Sequence, residues 1–551
     1  MTLQLNDPDL LRQQAYVDGQ WVDADSGATF PVIDPATGET IAHVPRMGAA
    51  ETRRAIEGAE RARTAWAGLL AKERARLLRD LADAMLANAD DLGTIMTAEQ
   101  GKPFAEAKAE VAYAASFFEW FGEEAKRVYG ETIPAPMPER RIVVLRQPIG
   151  VTVGITPWNF PSAMPTRKAA PALAVGCPMV LKPAEQTPLS ALAVAVLAER
   201  VGIPAGVFSI VTGDAEDAPL IGGEMTSNPI VRKLSFTGST EVGKLLMEQC
   251  SRTVKKVSLE LGGNAPFLVF DDADLDDVIA AINVAKYRNA GQTCISANRV
   301  LVQDGIHDAF VERMVDLSRT VNVAPGFDPA ATIGPLIDEP ALAKVARHVE
   351  DARARGGEVL VGGGVHEQHG RTFFLPTVIT GADMSWQMSN EETFGPVTAV
   401  HRFASEAEAV RTANDTPFGL AAYLFTRDHA RIWRVGEALD YGMISINTGF
   451  ISAAEAPFGG VKESGIGREG SHHGIEDFLE MAPGPRHGSG RPTSRRRPRA
   501  GRGPPRWRGR SPRPAARASG ACARGRWPRA ASGRGGRGAR PGRGPARARP
   551  R

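Results

Sequence analysis

RIVVLRQPIGVTVGITP (141–157), PTRKAAPALAVG (165–176), CPMVLKP (177–183), LSALAVAVLAERVG (189–202) and VFSIVTG (207–213) follow one another in the chain and alternate between two patterns. The first, third and fifth are short apolar runs bounded by Gly and Pro, which read as strands. The second and fourth carry apolar residues at helical spacing, and the fourth stops at Gly202 and Pro204. VRKLSFTGS (231–239), STEVGKLLMEQC (239–250) and KKVSLELGG (255–263) continue as strand, helix, strand. Such alternation predicts an α/β fold with a doubly wound parallel sheet and helices on both faces. Ligands of such sheets lie beyond the carboxyl ends of the strands. Residues 267–450 resume the pattern, with helices expected near 274–290, 305–321, 340–355 and 405–414, so a second α/β domain of similar size is predicted. Upstream, residues 16–45 read as short strands and turns, and 49–91 as helical. Residues 104–129 read as a helix whose aromatic side (Tyr113, Phe117, Phe118, Trp120, Phe121) belongs to the core.

The 551 residues carry a formal charge of only +3, which hides an asymmetry. From Pro485 to Arg551 there are 22 arginines and no Lys, Asp or Glu; taking these off the total leaves about −19 for residues 1–484. An acidic body, long enough for two or three domains, is thus followed by a basic segment of Arg, Gly, Pro and Ala. Such a segment cannot bury a core and is expected to be disordered. Four cysteines (Cys177, Cys250, Cys294, Cys522) are too few for a disulfide scaffold, and none has metal-ligand spacing, so no metal is expected. The N-terminus lacks a basic and an apolar signal region, and no apolar run reaches 18 residues, so a cytoplasmic location without membrane contact is expected.

Six strings occur in one order: ITPWNFP (155–161), VLKPAEQTP (180–188), SFTGSTEVG (235–243), LELGGN (259–264), GQTC (291–294) and EETFGP (391–396). Together they resemble the aldehyde dehydrogenase superfamily from about residue 16 to 480, and within it the succinate-semialdehyde dehydrogenases. The resemblance implies two doubly wound parallel-sheet domains plus a small β oligomerisation element. The boundaries expected are 1–137 for the N-terminal part of the cofactor domain, 138–148 for an oligomerisation strand and 149–258 for a Rossmann-like NAD-binding domain. The catalytic domain is expected at 259–446, a return to the cofactor and oligomerisation region at 447–484, and the basic segment at 485–551. A homodimer or homotetramer is implied, and breakdown of 4-aminobutyrate (GABA) is the implied pathway.

By the same resemblance, Cys294 is the nucleophile. A thiolate adding to an aldehyde gives a tetrahedral thiohemiacetal that can lose hydride and leave a thioester for water to hydrolyse. Glu260, among apolar and glycine neighbours, is the expected general base, its pKa raised by burial. Asn159 is the neutral oxyanion donor. Cys177 and Cys250 read as inert buried cysteines. Thr156, Pro157, Trp158, Lys182, Glu185, Gly238, Ser239, Leu261, Glu392 and Phe394 are the implied cofactor contacts. Gly238-Ser239 opens a helix whose N-terminal amides can hold a pyrophosphate, although no GxGxxG is present. A carboxylate at Glu185 accepts ribose hydroxyls and repels a 2′-phosphate, so NAD is expected over NADP. Arg167, Arg288 and Ser452 are implied to hold the distal carboxylate of the substrate. The expected activity is therefore oxidation of succinate semialdehyde, with a glutarate-semialdehyde or broader aldehyde dehydrogenase as alternative. Ser296 stands where some relatives carry a second cysteine, so no local CxC redox switch is expected.

After about Glu480 the likeness stops. The segment APGPRHGSGRPTSRRRPRAGRG stands where relatives finish with an apolar strand, and its composition is what a GC-rich gene yields when read out of frame. A frameshift near codon 482 is the preferred reading, with loss of the last strand weakening assembly. The alternative is a nucleic-acid-binding protein that uses its Arg-rich tail on an inactive scaffold, with Trp507 and Trp527 as stacking aromatics. No repeated RGG or RS unit supports that, and no specific nucleic acid is expected.

Overall fold

A computed structural model describes residues 3–138 and 140–483. The tail expected to be disordered, with Cys522, lies outside the described residues. The first sheet has eight strands in the order Gly465–Ile466, Lys256–Glu260, Val231–Thr237, Val151–Ile155, Met179–Lys182, Phe208–Ile210, Ala15–Val17 and Gln20–Val22. Its five central strands are parallel, and the edges are antiparallel. From Val151–Ile155 the chain winds outward through 179–182 and 208–210. It then returns to pair Val231–Thr237 on the other side of the starting strand. That reversal opens a crevice beyond Ile155 and Thr237, where doubly wound sheets take ligands.

Both faces of this sheet are covered, which is why its strands read as continuous apolar runs. The helix Pro188–Arg200 on one face is buried up to Ala198, so apolar residues surround it. Its N-terminus is met by a buried carboxylate: Glu99 accepts hydrogen bonds from the amides of Leu189 and Ser190, both at 2.8 Å.

The second sheet has seven strands in the order Glu358–Val361, Thr377–Thr380, Val397–Phe403, Ala297–Gln303, Ala265–Val269, Ala421–Phe425 and Met443–Ile446, parallel except at the first pair. Its helices Leu275–Tyr287, His307–Thr320, Glu339–Ala354 and Glu406–Asn414 fall within a few residues of expectation. Only residues 261–264 separate the last parallel strand of the first sheet from the strand Ala265–Val269 of the second.

Residues 49–91 are helical as expected, in helices Ala49–Gly68, Ala71–Ala87 and the start of Ala89–Gln100, separated at Leu69–Leu70 and at Asn88. Leu69 and Leu70 are extended, and the carbonyl of Leu69 accepts from the buried Arg74 guanidinium, which also reaches the carbonyl of Ala174. The aromatic helix ends at Glu124 rather than near 129. The expected loss of the strand that relatives carry after about Glu480 falls, beyond Pro483, outside the described residues. Leu479–Pro483 pairs antiparallel with Ile142–Pro148, which pairs in turn with Glu131–Ile133, in a small separate sheet.

No helix of the described residues is long and apolar enough to cross a membrane.

Candidate active site

A cavity of about 300 Å³ lies at the crevice. The loop after Val151–Ile155 contributes Pro157, Trp158 and Asn159, and the turn after Val231–Thr237 contributes Gly238 and Ser239. Leu261, Cys294, Glu392 and Phe394 line it from the second sheet and the link to it, and Arg167, Arg288 and Ser452 line it as well. Twelve of the sixteen residues named from the sequence are thus brought together. Thr156, Lys182, Glu185 and Glu260 do not line this cavity.

Glu260 ends its strand in register with Thr237. The Thr156 amide donates to the Lys182 carbonyl at 3.1 Å, and the buried Thr156 hydroxyl has no partner among the described residues. Lys182 is buried, with its ammonium 3.6 Å from the Glu185 carboxylate. Glu185 faces a second, wider cavity with Gln186, Asp214 and Glu216.

The loop carrying Cys294 is strained. Helix Leu275–Tyr287 ends at Arg288, and then Asn289, Ala290 and Gly291 all have positive φ (51°, 55° and 77°). For Ala290 this conformation costs about 1–2 kcal/mol. Glu106 accepts from the Asn289 amide at 2.8 Å, and the Asn289 side chain donates to the Asn159 carbonyl at 2.9 Å. Gln292 accepts from the Ile337 amide at 2.9 Å. Two glycines leave room for the loop. A Cβ on Gly291 would stand 2.3 Å from the Gly395 carbonyl oxygen, and one on Gly263 would stand 2.2 Å from that of Cys294. The second glycine of LELGGN is therefore a steric requirement of the cysteine loop.

The opposite wall is also shaped by a strained residue. Phe394 has φ 57° and meets Trp158 edge-on at 5.4 Å. Beside it, Glu392 accepts from the Gly263 amide at 3.3 Å, and burial pushes its pKa up to about 7. Ser239 caps the helix Thr240–Ser251 by accepting from the Val242 amide, so this helix points its amino end at the cavity. Asn159 donates to the Gln292 carbonyl at 3.1 Å, which uses one of its two amide protons and leaves one free.

Burial pushes the Cys294 thiol up to about 12; Glu392 and Glu260 add to that, and Arg167 opposes it. Glu260 is buried with both carboxylate oxygens unpartnered among the described residues. Its pKa is raised well above the usual carboxylate value by burial and then by the charge of Glu469. Burial works in the same direction on Glu469, but Lys168 and Arg167 outweigh it and hold Glu469 below its ordinary value. Lys168 donates to Glu469 at 2.6 Å and to the Thr237 hydroxyl at 2.7 Å. Cys177 and Cys250 are buried, and burial raises both thiols to about 11.

At the far end, the Arg167 guanidinium is buried, 4.2 Å from the Phe458 ring and 3.8 Å from Glu469. Its Nη2 contacts the hydroxyls of Tyr113 and Ser452. Arg288 lies over the Phe160 ring at 4.7 Å and, among the described residues, is in no ion pair.

Sequence reasoning missed Tyr113, Lys168 and Glu469. Tyr113 was read as core with its aromatic neighbours; Phe117, Phe118 and Phe121 are core, but Tyr113 lines the cavity. The sole hydroxyl in that stripe was the available signal. Glu469 lies in SGIGREG (464–470), 301 residues from Lys168, and no local pattern links them.

The sequence profile of the aldehyde dehydrogenase family matches residues 21–482. The chain belongs to the aldehyde dehydrogenase family. Enzymes of this family use NAD(P). This aldehyde dehydrogenase is 61% identical over 479 residues to a glutarate-semialdehyde dehydrogenase of Pseudomonas aeruginosa, covering 87% of this chain and 98% of that one. It is 57% identical, with the same coverage, to a succinate-semialdehyde dehydrogenase [NADP(+)] of Escherichia coli. A solved succinate-semialdehyde dehydrogenase from Burkholderia pseudomallei is 58% identical and superposes with a TM-score of 0.86 over 87% of this chain and 98% of that one. The family match ends at residue 482, just before the arginine-rich segment begins.

Proposed function

We propose that this aldehyde dehydrogenase oxidises a short aldehyde with a distal carboxylate, succinate semialdehyde first, through a thioester on Cys294. The observation that carries this reading is the pair of arginines, Arg167 and Arg288, that line the cavity together with Ser452. Buried Arg167 already has Glu469 at 3.8 Å. Arg288, half-buried and in no ion pair among the described residues although its charge reaches the buried Glu106, is the member of the pair with capacity left for a substrate carboxylate. The P. aeruginosa relative is named for glutarate semialdehyde, one carbon longer, and a cavity of about 300 Å³ admits either chain, so glutarate semialdehyde is the second reading.

The cavity fits a dinucleotide on this chain's own features. The helix capped by Ser239 directs amides at a pyrophosphate. Glu392, whose pKa burial raises, and Lys182 would take the ribose hydroxyls, and Thr156, whose amide bonds the Lys182 carbonyl, keeps a buried hydroxyl unpartnered among the described residues. Bound NAD(P) supplies the hydride acceptor. In the proposed reaction Cys294 gives its proton to Glu260 and adds to the aldehyde carbon, while the free amide proton of Asn159 and the Cys294 amide hold the oxyanion. After oxidation to the thioester, Glu260, having released the thiol proton to solvent, takes a proton from water as hydroxide adds to the thioester carbon, and the thiolate of Cys294 leaves as the carboxylic acid forms. Arg167, Arg288 and Ser452 hold the distal carboxylate throughout.

For the cofactor we propose NAD over NADP, because the Glu185 carboxylate neutralises Lys182 and would repel a 2′-phosphate. Two relatives, from E. coli and Sinorhizobium fredii, are named NADP(+) enzymes, so this preference is a property claimed for this chain alone. The deciding experiment follows cofactor reduction on succinate semialdehyde, glutarate semialdehyde and butanal by the full chain and by Arg288→Ala. The substitution is expected to raise KM for the semialdehydes by about tenfold or more and to leave butanal nearly unchanged. Equal effects on all three would remove the carboxylate clamp.

A further inference from the structure

Tyr113 stands on helix Phe104–Glu124 and reaches the anion-binding end from a third side. Its hydroxyl is hydrogen-bonded to both Arg167 Nη2 and Ser452 Oγ, and Arg167 Nη2 also reaches Ser452 Oγ at 3.3 Å. Its ring lies 5.8 Å from each guanidinium carbon, that of Arg167 and that of Arg288. Phe117 backs the ring at 5.0 Å. Among the residues around this end, Tyr113 is thus the one that touches both arginines and the serine.

A guanidinium can only donate, so the phenolic oxygen accepts from Arg167. A phenol is a stronger donor than an aliphatic alcohol and a weaker acceptor, so the proton between Tyr113 and Ser452 is given by the tyrosine. Ser452 Oγ then receives two donors, Tyr113 and Arg167, which fill its two lone pairs. Its own proton is all it has left to offer. The hydroxyl chain therefore ends in a donor that points at whatever occupies the cavity.

We propose that Tyr113 is a positioning residue that orders the anion-binding end of the cavity, fixing Ser452 as a pure donor and so setting the preference for an aldehyde with a distal carboxylate over a neutral one. This rests on the carboxylate-clamp reading given above. A carboxylate oxygen meets the Ser452 proton; a methyl terminus leaves it unpaired, which penalises neutral substrates. Without the phenolic oxygen, Ser452 is free to turn its proton elsewhere, and Arg167 loses one of its two hydroxyl partners.

The test compares wild type, Tyr113→Phe, Ser452→Ala and the double variant, with succinate semialdehyde and with butanal, under saturating NAD. Tyr113→Phe keeps the ring and its packing. It is expected to raise KM for succinate semialdehyde about tenfold with kcat within about twofold, and to lower the ratio of kcat/KM values between the two substrates about tenfold. Because Tyr113 acts through Ser452, the double variant is expected to lose no more selectivity than Ser452→Ala alone. An unchanged selectivity ratio in Tyr113→Phe, or fully additive losses in the double variant, overturns the proposal. Arg288→Ala separates the two levels. If it affects both substrates equally, the carboxylate reading itself fails; if it discriminates while Tyr113→Phe does not, only the role of Tyr113 fails.

Discussion

Replacing Gly263 by Ala tests the steric account of the cysteine loop with one methyl group. The added Cβ would lie 2.2 Å from the Cys294 carbonyl oxygen and 3.4 Å from its carbon. A carbon needs about 3.3 Å from a carbonyl oxygen, so one of the two segments must retreat by about 1 Å. The φ of Gly263 is not in the left-handed region, so backbone strain does not enter and the whole effect is this contact. The Ala265–Val269 strand that follows is wholly buried, so the mobile partner is the loop, already strained at Ala290. A shift of about 1 Å at the nucleophile is expected to cost about 100-fold in kcat, and the overpacking about 1–3 kcal/mol of stability. The neighbouring Gly262→Ala is the control. Its Cβ would meet the Glu392 carboxylate at 3.3 Å and the Thr240 hydroxyl at 3.4 Å, which are side-chain atoms able to give way. It is expected to keep kcat within about threefold. The assay is steady-state kcat on saturating semialdehyde, with the rate of Cys294 alkylation by iodoacetamide and the melting temperature measured alongside. A folded Gly263→Ala enzyme with wild-type kcat would refute the reasoning.

Two further outcomes are expected. The raised pKa of Glu260 gives the wild-type rate an acid limb: the carboxylate form accepts water's proton, so activity is lost as pH falls through that pKa. Because Glu260 takes both the thiol proton and water's, Glu260→Gln should abolish the limb and slow the first turnover of cofactor reduction as well as steady-state turnover, as rapid mixing would show; full turnover with the limb intact would exclude Glu260 as the base. Glu185→Ser should free Lys182, now 3.6 Å from the carboxylate, to meet a 2′-phosphate, and shift the NADP-to-NAD ratio of kcat/KM upward by about tenfold. Measuring both cofactors decides it, and an unmoved ratio rejects the assigned role.

The central strands of the first sheet were legible because they are short apolar runs bounded by Gly or Pro, as in CPMVLKP and VFSIVTG. The helices of the second sheet were legible from spacing alone. The breaks at Leu69–Leu70 and Asn88 were not, because the first is fixed by the buried Arg74, whose acceptor at Ala174 lies 100 residues away. At the site, motifs located the residues that face the cavity, since Gly and Pro punctuate those loops. Residues that act through others left no such trace. Lys168 looks like an ordinary helix lysine until its bonds to Thr237 and Glu469 are seen, and Tyr113 is hidden in an aromatic helix that is otherwise core. The positive φ at Ala290 and Phe394 was equally silent, because neither residue type favours it.

The reading of GQTC as an activated thiolate meets a physical obstacle in the resting site. Burial and two nearby carboxylates hold the Cys294 thiol at about 12, so essentially none is ionised at neutral pH. The same burial supplies the remedy proposed here. Glu260, unpartnered and raised well above the ordinary carboxylate range, holds a proton more tightly than a surface carboxylate would. Passing the thiol proton to it turns a thiol and a carboxylate into a thiolate and a neutral acid. One negative charge is buried before and after, so the transfer adds no second ion to the low-dielectric interior. Arg167, which already opposes the rise of the thiol pKa, favours the state with the charge on sulfur. Lys168 and Arg167 hold Glu469 ionised, and its charge favours a neutral Glu260, which is the form the transfer produces. Burial raises the pKa values of Cys294 and Glu260 alike, and the charge of Glu260 adds to the rise at Cys294, so moving the proton from sulfur to Glu260 removes that added charge as the thiolate forms.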